Sequence, residues 1–406
     1  MTEQGFYGLG IAPKILDILE RIKFKTPTPI QYKAIPLAIE GKDVVGIAQT
    51  GTGKTHAFAI PMVQRLVQRR GVGLVLAPTR ELAIQINEAF QGIAHPFGIK
   101  TACLIGGAPM QGQIQALRKD PRVVIATPGR LIDHMSQWNF VSDNVTMLVL
   151  DEADRMLDMG FAPQIEKILR FLPKDRQTML FSATIPKEIM QIAAKYMKLP
   201  VSVEIAPSGT TVERVVQELF IVKKEAKRQL LSKILQQYHG SILLFSRTKH
   251  NAHKIKMLIR DMGYSAAEMH SNRSLSQRRE ALDGFKSGRY KVLVATDIAA
   301  RGIDVTGIEL VINYDLPEDS ENYVHRIGRT ARAGCNGHAI SFATPDQRAD
   351  VKSIERVIRM QLPIVKHPEV NTAEFDQPQV VQRRPRHAGS GFVHRRRPRQ
   401  GRFQRW

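Results

Sequence analysis

Cysteine, acidic residues and long apolar runs are all scarce in this chain. Its 406 residues hold two cysteines, Cys103 and Cys335, without a CxxC pair or a Cys/His ligand spacing, which excludes a secreted disulfide framework and a structural zinc site. No stretch approaches the ~18 uninterrupted apolar residues of a membrane span, and residues 1–10 lack a basic segment followed by an apolar core. The expectation is a cytoplasmic protein with reduced thiols and no membrane segment. Acid is short as well: 38 Asp and Glu face 59 Lys and Arg, for a net charge of +21 and a pI of about 10.1. Such a surplus favours polyanionic partners, because Lys and Arg attract phosphate and displace its counterions.

The charge is polarised. Residues 377–406 contain nine arginines and no Asp or Glu, leaving +12 for residues 1–376. The few apolar residues there, among them Phe392, Phe403 and Trp406, cannot offset the chain entropy lost on folding, so the segment reads as a disordered Arg-rich tail. The remaining length suits two or three domains of about 100–200 residues each.

Short aliphatic runs alternate with amphipathic stretches of helical period, the pattern of a parallel sheet flanked by helices, so the fold class is α/β. Buried strands are expected at 44–48, 74–77, 123–126, 147–150 and 179–181, and again at 219–222, 242–245, 292–295, 310–313 and 339–342. The second set looks like a second copy of the architecture. A polar stretch around 206–211 separates the two, giving a first domain over 1–206, a hinge at 207–212, a second domain over 213–364 and a tail from 365. In open parallel sheets the loops at the carboxyl ends of the strands hold the ligand, and the chemical motifs fall there.

The first is Ala48, Gln49, Thr50, Gly51, Thr52, Gly53, Lys54 and Thr55, a P-loop between a strand and a helix, with Ala48 at the usual first Gly position. Gly51 and Gly53 let backbone amides curve around phosphate, Lys54 reaches the outer phosphates and Thr55 ligates Mg²⁺. Asp151 and Glu152 end another expected strand, where a metal-orienting acid and a residue that polarises the attacking water belong. The second domain has no Gly-rich loop, so one nucleotide site is expected. It carries instead His325, Arg326, Arg329 and Arg332. These arginines suit either a finger supplied when the domains close or a basic helix face that binds RNA.

With Asp151, Glu152, Ala153 and Asp154 in this setting, the chain resembles the DEAD-box RNA helicases, particularly short bacterial members with a basic tail. The ordered motifs run from about Phe6 to Arg332. The resemblance implies two RecA-like domains, ATP and Mg²⁺ as ligands, and RNA-stimulated ATP hydrolysis. Phe24, Thr26 and Gln31 match the segment that recognises adenine, although Lys23 stands where Gly is common. Pro78, Thr79, Arg80, Gly106, Gly107, Thr127, Pro128, Gly129 and Arg130 match the first domain's RNA segments, and Arg278 and Thr296 match contacts from the second. Asp304 matches a ribose contact. Arg329 and Arg332 match arginines that meet the γ-phosphate, whereas Asp154, Ser182, Thr184, His325 and Arg326 match residues that couple the domains. Ser271, Leu275 and Ala331 depart from the family pattern.

The activity so implied is local separation of short RNA duplexes, or remodelling of ribonucleoproteins such as ribosomal precursors, by a monomer. An ATP-gated RNA clamp and a DNA motor are the rival readings, and a merely solubilising tail is the alternative for residues 377–406. Deleting 377–406 should weaken RNA affinity and flatten its salt dependence while sparing ATPase turnover at saturating RNA. Binding titrations across a salt series, with saturated turnover measured in parallel, check this.

Overall fold

Aliphatic runs become strands, and every strand pairs in parallel with its neighbours. The computed structural model describes residues 5–49, 51–205, 215–300, 305, 307–330 and 337–376. Thr50, the expected hinge, Asp304, Ala331, Arg332 and the segment from 377 lie outside them. The first sheet contains β1 (Val44–Ile47), β2 (Val72–Leu76), β3 (Thr101–Leu104), β4 (Val123–Ala126), β5 (Val145–Leu150), β6 (Gln177–Ser182) and β7 (Val201–Glu204), in the order β3-β4-β2-β5-β6-β1-β7. The second contains β8 (Val215–Ile221), β9 (Ser241–Phe245), β10 (Ala266–Met269), β11 (Val292–Ala295), β12 (Ile308–Asn313) and β13 (Gly337–Ala343), ordered β10-β11-β9-β12-β13-β8. Helices cover both faces of each sheet, so strands such as β4 and β11 are buried at every residue, as parallel sheets require.

All ten expected strands are present. The three that the aliphatic runs did not reveal, β3, β7 and β10, each form an edge of a sheet. An edge strand is covered less completely, so Thr101–Leu104 and Val201–Glu204 mix exposed or half-buried residues with buried ones. The expected end of the second domain at 364 is too early. Val365 N–H donates to the Leu219 carbonyl at 2.9 Å and Ala373 N–H to that of Ile221 at 2.7 Å, while Val370 is buried and Phe375 packs on the second core. Single apolar residues on an extended segment leave no periodic signal, which is why this stretch read as tail.

Parallel order places the carboxyl ends of β1, β2, β4, β5 and β6 on one edge of the first sheet, so the P-loop, residues 78–82, 127–130, 151–154 and 182–184 converge there. Gly46 in β1 makes close packing possible: a Cβ there would lie 2.5 Å from the Phe181 ring and 3.4 Å from Ile30. Gly46→Val should therefore destabilise the first domain by about 1–3 kcal/mol through overpacking, seen as a lower urea midpoint. Gly92→Ala, in the helix Arg80–Ala94 where a Cβ meets nothing within 4 Å, should raise stability by roughly 0.5–1 kcal/mol.

Candidate nucleotide and RNA site

β1 runs directly into the phosphate loop. Gly51 and Gly53 have φ of 84° and 86°, a left-handed conformation that a side chain disfavours, and the Thr52 hydroxyl donates to the Gln49 carbonyl at 2.7 Å. The helix Lys54–Gln68 follows at once, pointing its amino-terminal amides and field at the loop. Lys54 is buried, with Nζ donating to the Ala48 carbonyl at 2.8 Å. Behind the loop, Thr28 occupies the N-cap position of the helix Pro29–Ile39. Gln31 Oε1 accepts from Thr28 N–H at 2.9 Å, and Nε2 donates to the Gly53 carbonyl at 2.9 Å. Gln31 thus braces the phosphate loop. Phe24 packs on His56 with ring centroids 4.2 Å apart, and burial pushes the His56 pKa down to about 4. Lys23 has a φ of 62°, the conformation that makes Gly common at this turn. Thr26 is exposed.

The acids at the end of β5 have different environments. Asp151 is buried, and burial, reinforced by Glu152 and Asp154, outweighs the pull of Lys54 and raises its pKa to about 7. For Asp154 burial acts in the same direction, but Lys54 and hydrogen bonds from the Thr184 and Arg155 amides outweigh it and hold the pKa below the ordinary value. Asp154 Oδ2 accepts from the amides of Ala183 and Thr184 at 3.0 and 2.9 Å and from the Thr184 hydroxyl at 3.1 Å. Its own amide donates to the Ser182 hydroxyl at 3.2 Å. Glu152 adopts φ 49° and ψ 52° at the start of the helix Ala153–Asp158, a left-handed non-glycine backbone of the kind concentrated at functional sites. Its carboxylate lies 3.4 Å from Arg155, and its buried Oε2 has no hydrogen-bond partner.

Residues matched to RNA segments also assemble. Thr79 caps the helix Arg80–Ala94 by accepting from Leu82 N–H at 3.2 Å. The Arg80 guanidinium packs against Gly106 and Gly107; a Cβ on Gly107 would collide with it and one on Gly106 would lie 3.1 Å from it, and Gly107 has a φ of 76°. The same turn is held by Gln113, donating to the Ile105 carbonyl at 3.0 Å, and by Arg130, donating to Ala108 at 3.0 Å. Thr127 and Pro128 are buried at the start of the helix Pro128–Ser136, with Gly129 exposed beside them.

In the second domain, Thr296 is half-buried at the end of β11. Arg278 forms a 2.9 Å ion pair with Glu81 of the first domain, and both side chains are nearly buried. Leu275 of the same helix packs on the first domain's core. Across from the P-loop, His325 and Gly328 face Gln49 and Thr184 over a cavity of about 200 Å³. Arg329 is buried beside this helix. Arg326, expected among the domain-coupling residues, has its described partners within its own domain. It clasps Asp297 at 2.6 and 2.7 Å, donates to the Asp315 carbonyl at 2.7 Å and lies over the Phe245 ring.

Family models match both halves: DEAD/DEAH box helicase over residues 28–192 and the helicase conserved C-terminal domain over 226–334. The chain belongs to the DEAD-box helicase family. It is 42% identical to the ATP-dependent rRNA helicase RRP3 of Debaryomyces hansenii over 377 residues, covering 92% of this chain and 79% of that protein. The Candida albicans protein of the same name is 44% identical over 362 residues, covering 88% and 68%. Among solved structures, S. cerevisiae Dbp5 bound to RNA and ADP BeF3 superposes with a TM-score of 0.79 at 32% identity, covering 89% of this chain and 95% of that one. Mss116p bound to ssRNA and AMP-PNP gives 0.80 at 27% identity, covering 91% and 81%.

Within this DEAD-box framework, three contributors escaped the sequence reading. Glu81 receives Arg278. Gln113 holds the Gly106–Gly107 turn, and buried His134 bonds Gln113 at 3.1 Å. Glu81 directly follows Arg80 of a matched RNA segment, but nothing in its spacing reveals a partner almost two hundred residues away; Gln113 and His134 carry no motif at all. Reversing the charge with Arg278→Glu should raise the RNA concentration needed to half-activate the ATPase by at least about tenfold, within the range of coupling free energies. Adding Glu81→Arg should restore much of it if the ion pair sets the effect. RNA titrations of the single and double variants read the difference.

Proposed function

We propose that this ATP-dependent RNA helicase separates strands locally, with hydrolysis governed by closure of its two domains. The observation that carries the reading is Asp154, whose carboxylate accepts from Ala183 and Thr184 and whose amide donates to Ser182, next to a P-loop on one side and the helix bearing His325 on the other. Lys54 and the loop amides bind the ATP phosphates, Phe24 and Gln31 define the adenine end, and Asp304 meets the ribose. Glu152 orients and polarises water for attack on the γ-phosphorus. Arg329 and Arg332 neutralise the charge that develops there once the domains close.

The donor set fits Mg²⁺. Asp151 is a buried carboxylate whose pKa sits near 7, so a hard cation would offset its desolvation, with the Thr55 hydroxyl as the second ligand. When bound, Mg²⁺ would neutralise phosphate charge. RNA occupies the track formed by Arg80, the Gly106–Gly107 turn, Thr127 and Arg130, completed by Thr296, while Arg278, expected among the RNA contacts, is engaged by Glu81 at the domain junction. Hydroxyls, backbone amides and guanidinium groups there bind phosphodiester without reading bases. Because each ligand touches both domains, ATP and RNA each favour the closed state, and closure on a bent strand excludes its complement. Loss of phosphate removes the contacts to the arginines and reopens the clamp. The rRNA helicase names of the relatives support a role on ribosomal RNA; the cytoplasm is the expected location, and a monomer the expected state, since both half-sites are in one chain.

ATPase should rise on addition of RNA more than on addition of DNA of the same sequence, and duplex release should need hydrolysable ATP. An RNA-independent ATPase would overturn the coupling, while full strand release with a non-hydrolysable analogue would leave an ATP-gated clamp. Mg²⁺ capture requires ionised Asp151, so its affinity in the presence of ATP should fall as pH drops from 8 to 6, approaching about tenfold per unit below pH 7. Asp151→Asn should remove the part of this dependence that ATP's own titration does not supply. Metal titrations of both proteins at each pH make the comparison.

A further inference from the structure

The amino-terminal edge of the first sheet, opposite the phosphate loop, carries a second concentration of positive charge. Lys42 precedes β1, Arg69 and Arg70 precede β2, Arg176 precedes β6 and Lys198 precedes β7, while Arg65 projects from the far end of the helix that begins at Lys54. In the order β2-β5-β6-β1-β7 these strands are contiguous, so loops distant in sequence converge on one cavity of about 310 Å³. At 1.5 Å per helical residue, Arg65 stands roughly 16 Å along the helix from Lys54. The cavity is therefore separate from the ATP site.

Its two acids are already engaged. Asp43 accepts from the amides of Thr178 and Lys198 at 2.7 and 2.6 Å, and Asp175 pairs with Lys198 at 2.8 Å. Among the described residues, no carboxylate forms an ion pair with Arg65, Arg69, Arg70 or Arg176. Arg176 is only 8% exposed, and the Nε atoms of both Arg176 and Arg65 are buried without a hydrogen-bond partner. Burial pushes both guanidinium pKa values down, with Arg69 adding to the effect at Arg65 and Asp43 and Tyr196 only partly offsetting it at Arg176. Each has one structural bond, Arg65 to the Ile39 carbonyl at 3.2 Å and Arg176 to that of Pro173 at 2.5 Å. Capping of neighbouring chain ends accounts for those bonds. It does not account for four unpaired arginines around one concavity.

We propose that this cavity binds a compact, phosphate-dense anion, held by Arg65 and Arg176 at its floor and by Arg69 and Arg70 at its exposed rim. Guanidinium forks match phosphate oxygens, and a half-open cavity of about 310 Å³ suits a short polyphosphate, whereas a nucleic-acid backbone needs a continuous track.

Inorganic tripolyphosphate is the probe, used with the full chain in magnesium-free buffer. The cavity exists only in the folded protein, so an occupant must raise the thermal midpoint, whereas anions on the Arg-rich segment 377–406 need not distinguish folded from unfolded chains. A rise of several degrees is expected in the parent and in Lys54→Ala, together with protection of Arg69 and Arg70 from phenylglyoxal, read by mass spectrometry. Arg69→Gln/Arg70→Gln changes exposed side chains, so it should keep the ligand-free midpoint yet lose most of the rise. A rise abolished by Lys54→Ala, or undiminished in the rim variant, would overturn the proposal. Protection of the rim arginines by a short single-stranded RNA at lower concentration than tripolyphosphate would also reject it, in favour of an RNA surface.

Discussion

The buried carboxylate of Asp154 is the interaction on which the site depends. A desolvated charge is tolerated only when hydrogen bonds and opposite charge surround it, and here the amides of Ala183 and Thr184, the Thr184 hydroxyl and the field of Lys54 do so. Satisfying that one group ties the end of β5 to the end of β6 and orients both toward the phosphate loop at the end of β1. Asp151, three residues earlier, lacks that set of donors, and burial lifts its pKa to about 7. The contrast gives the two carboxylates separate tasks: Asp154 is a structural junction, whereas Asp151 is a group whose desolvation a cation can relieve.

Parallel topology extends this logic across the molecule. It collects every carboxyl-end loop on one edge, where the P-loop, the acids and the RNA segments lie within reach of each other, and it collects the opposite loops, rich in arginine, on the other edge. The interdomain Arg278–Glu81 pair, with Leu275 packed beside it on the first domain, occurs at the helix start where the sequence departs from its family. The apolar side chain at 275 contributes burial between the domains.

Much of this was legible without coordinates, for identifiable reasons. Central parallel strands are buried on both faces and so appear as aliphatic runs, which made nine of them readable; the edge strand β8 was readable too, because its last three residues are all buried. β3 and β7 were hidden because their burial is mixed, β10 because the buried Glu268 interrupts its apolar run, and residues 365–375 because isolated Val365, Val370 and Phe375 produce no period. The phosphate loop was legible because its glycines and Lys54 are needed at adjacent positions. Glu81, Gln113 and His134 were not, since their roles depend on partners brought near only by folding. Arg326 shows the same limit from the other direction: an arginine in a basic motif looked like an interface residue, yet its clasp on Asp297 and its place over Phe245 lie within one domain.

By itself the sequence determined the parallel α/β class, the nucleotide loop, the pairing of that loop with the Asp151–Glu152 acids and the concentration of nine arginines in residues 377–406. Those features depend on local spacing and composition, which a linear chain displays directly. Only the tertiary structure decided which charges are paired, which are buried, and which of two chemically similar aspartates is held ionised by its neighbours. Charge compensation and desolvation depend on three-dimensional proximity, and residues separated by a hundred positions or more, such as Arg278 and Glu81 or Lys42 and Arg176, meet only because the strands are ordered as they are.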